Sequence, residues 1–246
     1  MDDEGAREAL DGVPAIVLAG GRGTRLAAVL NDGQKVLAPV GERPFLAHVL
    51  DRLAAAGVRT AVLCTGYRAR DVRAAFGATY GSLRLAYAEE KEPLGTGGAV
   101  AHALSQVAGD TVLVMNGDSL CTADLAAFGG WHRRRRAVAS LLLTQVEDAR
   151  AFGRVEVASD GRVLSFREKT SAEGPAWVSA GIYLVARALL EEIPRGRAVS
   201  LEHETLPGWI GRGLFGWQSS GRLLDIGTPQ SYADAAPFLA AEGDGR

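Results

Sequence analysis

Residues 14–26 read Pro14-Ala15-Ile16-Val17-Leu18-Ala19-Gly20-Gly21-Arg22-Gly23-Thr24-Arg25-Leu26. A short apolar run that ends on paired glycines reads as a buried strand feeding a glycine turn. Consecutive glycines leave backbone N–H groups open to a phosphate or a base edge, with no Cβ in the way. It is not a Walker loop, because no Gly-Lys-Ser/Thr follows. The dinucleotide fingerprint is only partial, since its third glycine position holds Leu26. Taken alone, the stretch fits a tight strand–helix turn with a solvated arginine equally well.

Working outward, Phe45, Leu46, Val49, Leu50 and Leu53 recur at helical spacing over 44–56, and Gly57 closes the helix. Thr60–Thr65 is a second apolar strand, Arg68–Phe76 a short helix, Ser82–Tyr87 an alternating strand. A helix then spans Gly97–Val107, opened by the glycine turn Gly95-Thr96-Gly97-Gly98, and Thr111–Met115 is a buried strand ending at Asn116-Gly117-Asp118. Strands alternating with helices predict an α/β, Rossmann-like, mostly parallel mixed sheet flanked by helices. The second half is richer in strands: Val138–Val146, Arg154–Val157, Val163–Arg167 and Trp177–Val185, with a hairpin turn at Ser159-Asp160-Gly161. Helices near Ser200–Ile210 and Gln230–Leu239 finish the chain. The expectation is one domain over 1–246: a nucleotide-type half to about 135, a small β-rich part over about 136–228, and a C-terminal helix and tail over about 229–246.

Of the 246 residues, 31 are glycine, against an ordinary usage of about 7%. With only 9 prolines and 47% hydrophobic residues the chain is not a disordered Gly/Pro polymer, so the excess glycine has to be placed position by position. The net charge of -2 gives no electrostatic case for nucleic acid or an anionic membrane. Cys64 and Cys121 lie far apart with no zinc spacing, which favours a reducing compartment. No apolar run reaches the roughly 18 residues of a membrane helix, and the acidic start lacks a secretory n-region. Together these predict a cytoplasmic protein.

Several motifs accompany the glycine loop in order: Lys35 with Pro39-Val40, Glu90-Lys91-Glu92-Pro93-Leu94-Gly95-Thr96-Gly97-Gly98-Ala99, Asn116-Gly117-Asp118, Phe152-Gly153-Arg154-Val155, Glu168-Lys169, Ser179-Ala180-Gly181-Ile182-Tyr183 and Asp225-Ile226-Gly227-Thr228-Pro229. The set resembles the sugar-1-phosphate nucleotidyltransferases along nearly the whole chain. Within them it is most similar to the D-glycero-α-D-manno-heptose 1-phosphate guanylyltransferases, with the mannose-1-phosphate guanylyltransferases next. The resemblance implies the nucleotide-diphospho-sugar transferase type of fold. It also implies transfer of a nucleotidyl group from an NTP, GTP first, to a sugar 1-phosphate. By the same resemblance Arg25 takes the departing β/γ-phosphates, Lys35 the α-phosphate and Lys169 the phosphate of the sugar. Leu18, Ala19, Gly20, Gly21, Gly23, Thr24, Glu90, Pro93, Leu94, Gly95, Thr96, Asn116 and Gly117 meet the nucleotide. Gly153, Glu168, Ser179 and Gly181 meet the sugar. ATP and other triphosphates remain alternatives, and the oligomeric state stays open, a homodimer included.

Asp118 and Asp225 each close an apolar strand, where open α/β sheets bind ligands. Hard oxygen ligands in small number suit Mg²⁺, which keeps water and phosphate oxygens in its shell. Either aspartate alone would read as a helix N-cap. Glu89, Glu90 and Glu92 all compete for the base, and Thr96 is expected to cap its helix. Three departures from the family pattern stand out: Gln34 where a proline commonly precedes the loop lysine, Ala27-Ala28-Val29 after Leu26, and Ser179 where an asparagine is common. Arg133–Arg136 reads as a solvated helix end, and His48, His102, His132 and His203 show no ligand spacing. Competing classes are an NAD-dependent oxidoreductase, disfavoured by Leu26, and a nucleotide-sugar-binding regulator without catalysis, disfavoured by the retained charged set. A glycosyltransferase would want Asp-x-Asp where Asn116-Gly117-Asp118 stands.

Overall fold

The computed structural model describes residues 10–26, 29–30, 33–167 and 174–243. Strand β1 (Ala15–Leu18) enters the loop over 19–26. After a 3₁₀ turn (Lys35–Leu37), a hairpin of β2 (Pro39–Val40) and β3 (Arg43–Pro44) leads into helix α1 (Phe45–Ala55). Next come β4 (Thr60–Thr65), α2 (Ala69–Phe76), β5 (Thr79–Tyr80), β6 (Leu83–Glu89), α3 (Gly95–Ala103), β7 (Thr111–Asn116), β8 (Ser119–Cys121) and α4 (Leu125–Arg135). The second half holds β9 (Ala139–Val146), β10 (Arg154–Val157), β11 (Val163–Arg167), β12 (Ala176–Ala186), α5 (Arg187–Glu191), a π-helical turn (Leu201–Thr205), α6 (Leu206–Trp209), β13 (Leu214–Ser219), β14 (Leu223–Asp225), α7 (Pro229–Ala233) and α8 (Ala235–Gly243).

Ten of these strands form one mixed sheet, with β11-β10-β12-β7-β1-β4-β6-β5 in order and β9 joining β12 to β13. Its heart is parallel: β1 pairs in parallel with both β4 and β7, and β4 with β6. The strands of the second half attach antiparallel through β12, which runs against both β7 and β9. Both faces are covered, because successive residues of a strand point to opposite sides. Val17 and Leu63 join α1 residues Phe45, Leu50 and Leu53 in one core. Ile16 and Val62 join α3 residues Ala99 and Val100 in the other. Fully burying each large side chain contributes roughly 1.5–3 kcal/mol, which explains why the parallel strands are apolar on both faces.

The sequence reading holds for the central strands and helices. It differs at several places, among them the short β2, β3, β5, β8 and α5, which were not expected. The helix expected over Ser200–Ile210 is a π turn followed by the short α6. The helix expected over Gln230–Leu239 is two, α7 and α8, divided at Asp234. Strand β13, parallel to β9, was not expected. Among the described residues no helix is long and apolar enough to cross a membrane.

Candidate active site

The site lies at the carboxyl ends of β1 and β7. A cavity there is lined by Leu18, Ala19, Gly21, Gly23, Thr24, Arg25, Lys35, Val36, Asp118 and Gly227. The loop after β1 turns back at Gly23–Leu26, where the Leu26 N–H donates to Gly23 O (2.9 Å) and the Leu26 side chain is buried. Gly23 has φ +58°, and a Cβ on it would lie 2.7 Å from Lys35 Cβ. Glycine is therefore needed here twice over, for the left-handed backbone and for the lysine stem packed against it.

Lys35 is buried, and its ammonium nitrogen donates to Asp118 Oδ2 at 2.7 Å. Asp118 sits between β7 and β8, and Asp225 ends β14. The antiparallel pairing of β8 with β14 places Asp225 opposite Ser119, and the Ile226 N–H donates to Asp118 O at 3.1 Å. Two aspartates distant in sequence thus meet through one short ladder. The Gly227 N–H donates to Asp225 Oδ1 at 2.6 Å. Arg25 and Lys35 each bring a nitrogen within 3.4 Å of where a Gly227 Cβ would stand. Burial holds the Asp225 carboxyl above the usual carboxylate range, and the charge of Asp118 adds to this. Lys35, the Gly227 N–H and Arg25 pull it the other way.

Gly117 donates to Leu18 O at 2.9 Å, and a Cβ on it would press on that same carbonyl at 2.8 Å. Gly181, at φ +71° in a register shift of β12, is packed against the Asn116 amide, whose Nδ2 would be 2.5 Å from a Cβ there. Asn116, at the end of β7, is thereby packed against β12. Ser179 donates its backbone N–H to Gly153 O (3.0 Å), while its hydroxyl accepts from the Gly181 N–H (3.2 Å) and donates to Tyr183 Oη (3.2 Å). Glu168 and Lys169 lie outside the described residues.

Of the three glutamates, Glu89 and Glu92 are exposed and Glu90 is half-buried. Glu90 Oε2 accepts from the Leu94 N–H (2.9 Å), and Oε1 would be 3.1 Å from a Cβ on Gly20. Glu90 is thus the acidic side chain turned to the glycine loop, and burial raises its carboxyl above the ordinary value. A second cavity, lined in part by Glu89, Glu90, Pro93's neighbour Leu94, His102 and Arg195, lies beside it.

One expectation is corrected at α3. Thr96 does not cap the helix: its hydroxyl donates to Glu202 Oε2 (2.7 Å) and accepts from the Leu201 N–H (2.8 Å). The N–H groups of Gly97 and Gly98 both go to Val199 O, and the Val199 N–H returns to Leu94 O (2.8 Å). A remote backbone segment satisfies this helix start instead of a local side chain. Gly95 is left-handed (φ +68°), and a Cβ on it would meet Val199 O at 2.6 Å. The Glu202–Thr96 bond and the Val199 strap carry no local sequence signal beyond the Ser200-Leu201-Glu202 run itself. The four arginines Arg133–Arg136 are exposed, as expected, with Arg135 stacked over Trp131.

A protein-family model described as nucleotidyl transferase matches residues 14–242. A mannose-1-phosphate guanylyltransferase of Mycobacterium tuberculosis is 39% identical over 92% of this chain, which spans 64% of that relative's length. A D-glycero-alpha-D-manno-heptose 1-phosphate guanylyltransferase of Aneurinibacillus thermoaerophilus is 32% identical over 92% of this chain and 97% of its own. Among solved structures, HddC from Yersinia pseudotuberculosis superposes with a TM-score of 0.81 at 27% identity, covering 92% of this chain and 99% of that one. Its complex with GMP-PN gives 0.80 at 26%, covering the same shares of the two chains.

Proposed function

Because the chain belongs to the nucleotidyl transferase family, we propose that it joins a sugar 1-phosphate to the α-phosphorus of GTP and releases pyrophosphate. The observation that carries this reading is the convergence of Arg25, Lys35, Asp118 and Asp225 around Gly227. The nucleophile is an ionised phosphate oxygen, so no base has to remove a proton. A new O–Pα bond forms as the bond from Pα to the bridging oxygen of the leaving pyrophosphate breaks. Alignment and charge relief are the demands of such a transfer. Lys35, fixed from below by Asp118, meets the α-phosphate, and Arg25 on the exposed turn meets the departing phosphates. Lys169 takes the sugar phosphate, and Glu168, Gly153, Ser179 and Gly181 meet the sugar.

The donor set of Asp118 and Asp225 fits Mg²⁺. Among the described residues each aspartate has one oxygen engaged by protein, and no cluster of three or more acidic, His or Cys side chains would form a closed cage. A hard cation with two carboxylates and a shell otherwise of water and phosphate suits that set. When bound, Mg²⁺ supplies charge neutralisation on the phosphate oxygens.

Guanine is favoured by Glu90. An ionised carboxylate only accepts, and guanine presents two donors on one edge, N1–H and N2–H₂. Adenine offers an acceptor at N1, which a carboxylate repels. For the sugar, the Aneurinibacillus relative's name supports D-glycero-α-D-manno-heptose 1-phosphate. The Mycobacterium relative supports mannose 1-phosphate as the second reading; the two share the manno ring. Asp118→Asn and Asp225→Asn should each keep a cooperative thermal transition and lose most pyrophosphate release. Near-wild-type release by both would overturn the site.

A further inference from the structure

We infer that Gln34 is a positioning residue for the transfer: it locks the turn that carries Lys35 onto the loop ends after β1 and β4. The inference rests on the reading that Lys35 meets the α-phosphate. Gln34 is 2% exposed. Its Nε2 donates to Ala19 O at 2.9 Å and to Tyr67 O at 3.1 Å. Its own carbonyl accepts from the Leu37 N–H at 2.9 Å, opening the 3₁₀ turn that begins at Lys35. One residue therefore ties together three segments: the glycine loop, the turn after β4 and the lysine turn.

The chemistry of the side chain is specific to this task. Two carbonyls converge on one nitrogen, and a primary amide supplies two donors without charge. A lysine would add a second cation beside Lys35, and an ionised glutamate would face two carbonyls with nothing to donate. The choice is also costly for the fold. Gln34 Oε1 is buried with no hydrogen-bond partner among the described residues, and an orphaned buried acceptor destabilises. A methionine would fill the same space without that orphan. A residue kept for packing alone would avoid it, whereas holding two loop carbonyls in place requires a donor.

The test uses the full chain with GTP and D-glycero-α-D-manno-heptose 1-phosphate, each varied separately, for Gln34→Met, Gln34→Glu and, as reference, Lys35→Ala. Gln34→Met should keep its thermal transition and lose roughly tenfold or more in kcat/KM for GTP, with the KM for the sugar phosphate unchanged. Gln34→Glu should be weak at pH 8 and recover relative to wild type as pH falls, because a protonated carboxyl regains one donor. Wild-type kinetics of Gln34→Met beside an inactive Lys35→Ala would overturn the inference, and so would an equal rise in KM for both substrates. If Gln34→Met loses its folded transition, the pH profile of Gln34→Glu decides, and a flat profile refutes the inference. A fully active Lys35→Ala would instead remove the reading beneath it.

Discussion

Gly23→Ala separates backbone strain from displacement of Lys35, because Gly41 offers a matched control. Both glycines are left-handed, at φ +58° and +63°. Placing an L-residue there costs about 1–2 kcal/mol, a fall in Tm of roughly 2–8 °C for a chain of this size. A Cβ on Gly41 would meet nothing within 4 Å, whereas one on Gly23 would stand 2.7 Å from Lys35 Cβ. Ordinary contact begins at 3.4 Å, so the lysine stem has to retreat by roughly 0.7 Å in the second case only. A displacement near 1 Å at a positioned catalytic group costs on the order of 10²-fold in rate. Gly41→Ala should therefore lose stability and keep its kcat, and Gly23→Ala should lose at least as much stability and most of its turnover. Thermal denaturation and continuous pyrophosphate release measure the two effects. Equal kcat values for the two variants would refute the placement of Lys35 in the reaction.

His132 is buried against Ser140 (Nδ1 to Oγ 2.8 Å), and burial pushes its imidazole down to about 4. Unfolded, it titrates near 6.5, so below that pH the unfolded chain binds a proton that the folded one refuses. Stability from this group is full above about pH 6.5 and falls by roughly 1.4 kcal/mol per pH unit on acidification, of order 3 kcal/mol by pH 4. Urea titrations at pH 7 and 4.5 should show that loss in wild type and a smaller one in His132→Gln; identical losses would refute it. Glu90→Gln, which replaces an acceptor-only group by one that also donates, should lower kcat/KM for GTP roughly tenfold and narrow its lead over ATP. An unchanged ratio of the two would remove Glu90 from base selection.

How much of this was legible in the sequence depends on the range of the interaction. Strands β1, β4 and β7 are continuous apolar runs, so their buried, parallel setting was readable, and with it the strand-end position of Asp118; that of Asp225 was readable from the apolar Leu223-Leu224 before it. That the aspartates meet follows from the β8–β14 ladder, which is only three residues on each side and too short to show periodicity. Strand β13 was hidden by Gly216, a poor strand former. The structure explains that glycine: a Cβ there would collide with Leu143 and Val157. At Thr96 a local rule, the helix cap, lost to a non-local one, since Val199 and Glu202 arrive from a segment about a hundred residues later. Gln34 was noticed only as a departure from a pattern, because the two carbonyls it serves come from separate loops. Glu168 and Lys169 were legible as a motif and lie outside the described residues.

The most direct measurement is pyrophosphate release with GTP, ATP, UTP and dTTP, each crossed with manno-heptose, mannose and glucose 1-phosphates. We expect GTP with a manno-configured acceptor to give pyrophosphate and nucleotide sugar in equal amounts, abolished by Asp118→Asn. Release with no pair would contradict nucleotidyl transfer itself, and a clear preference for dTTP or UTP with glucose 1-phosphate would contradict the choice of substrates.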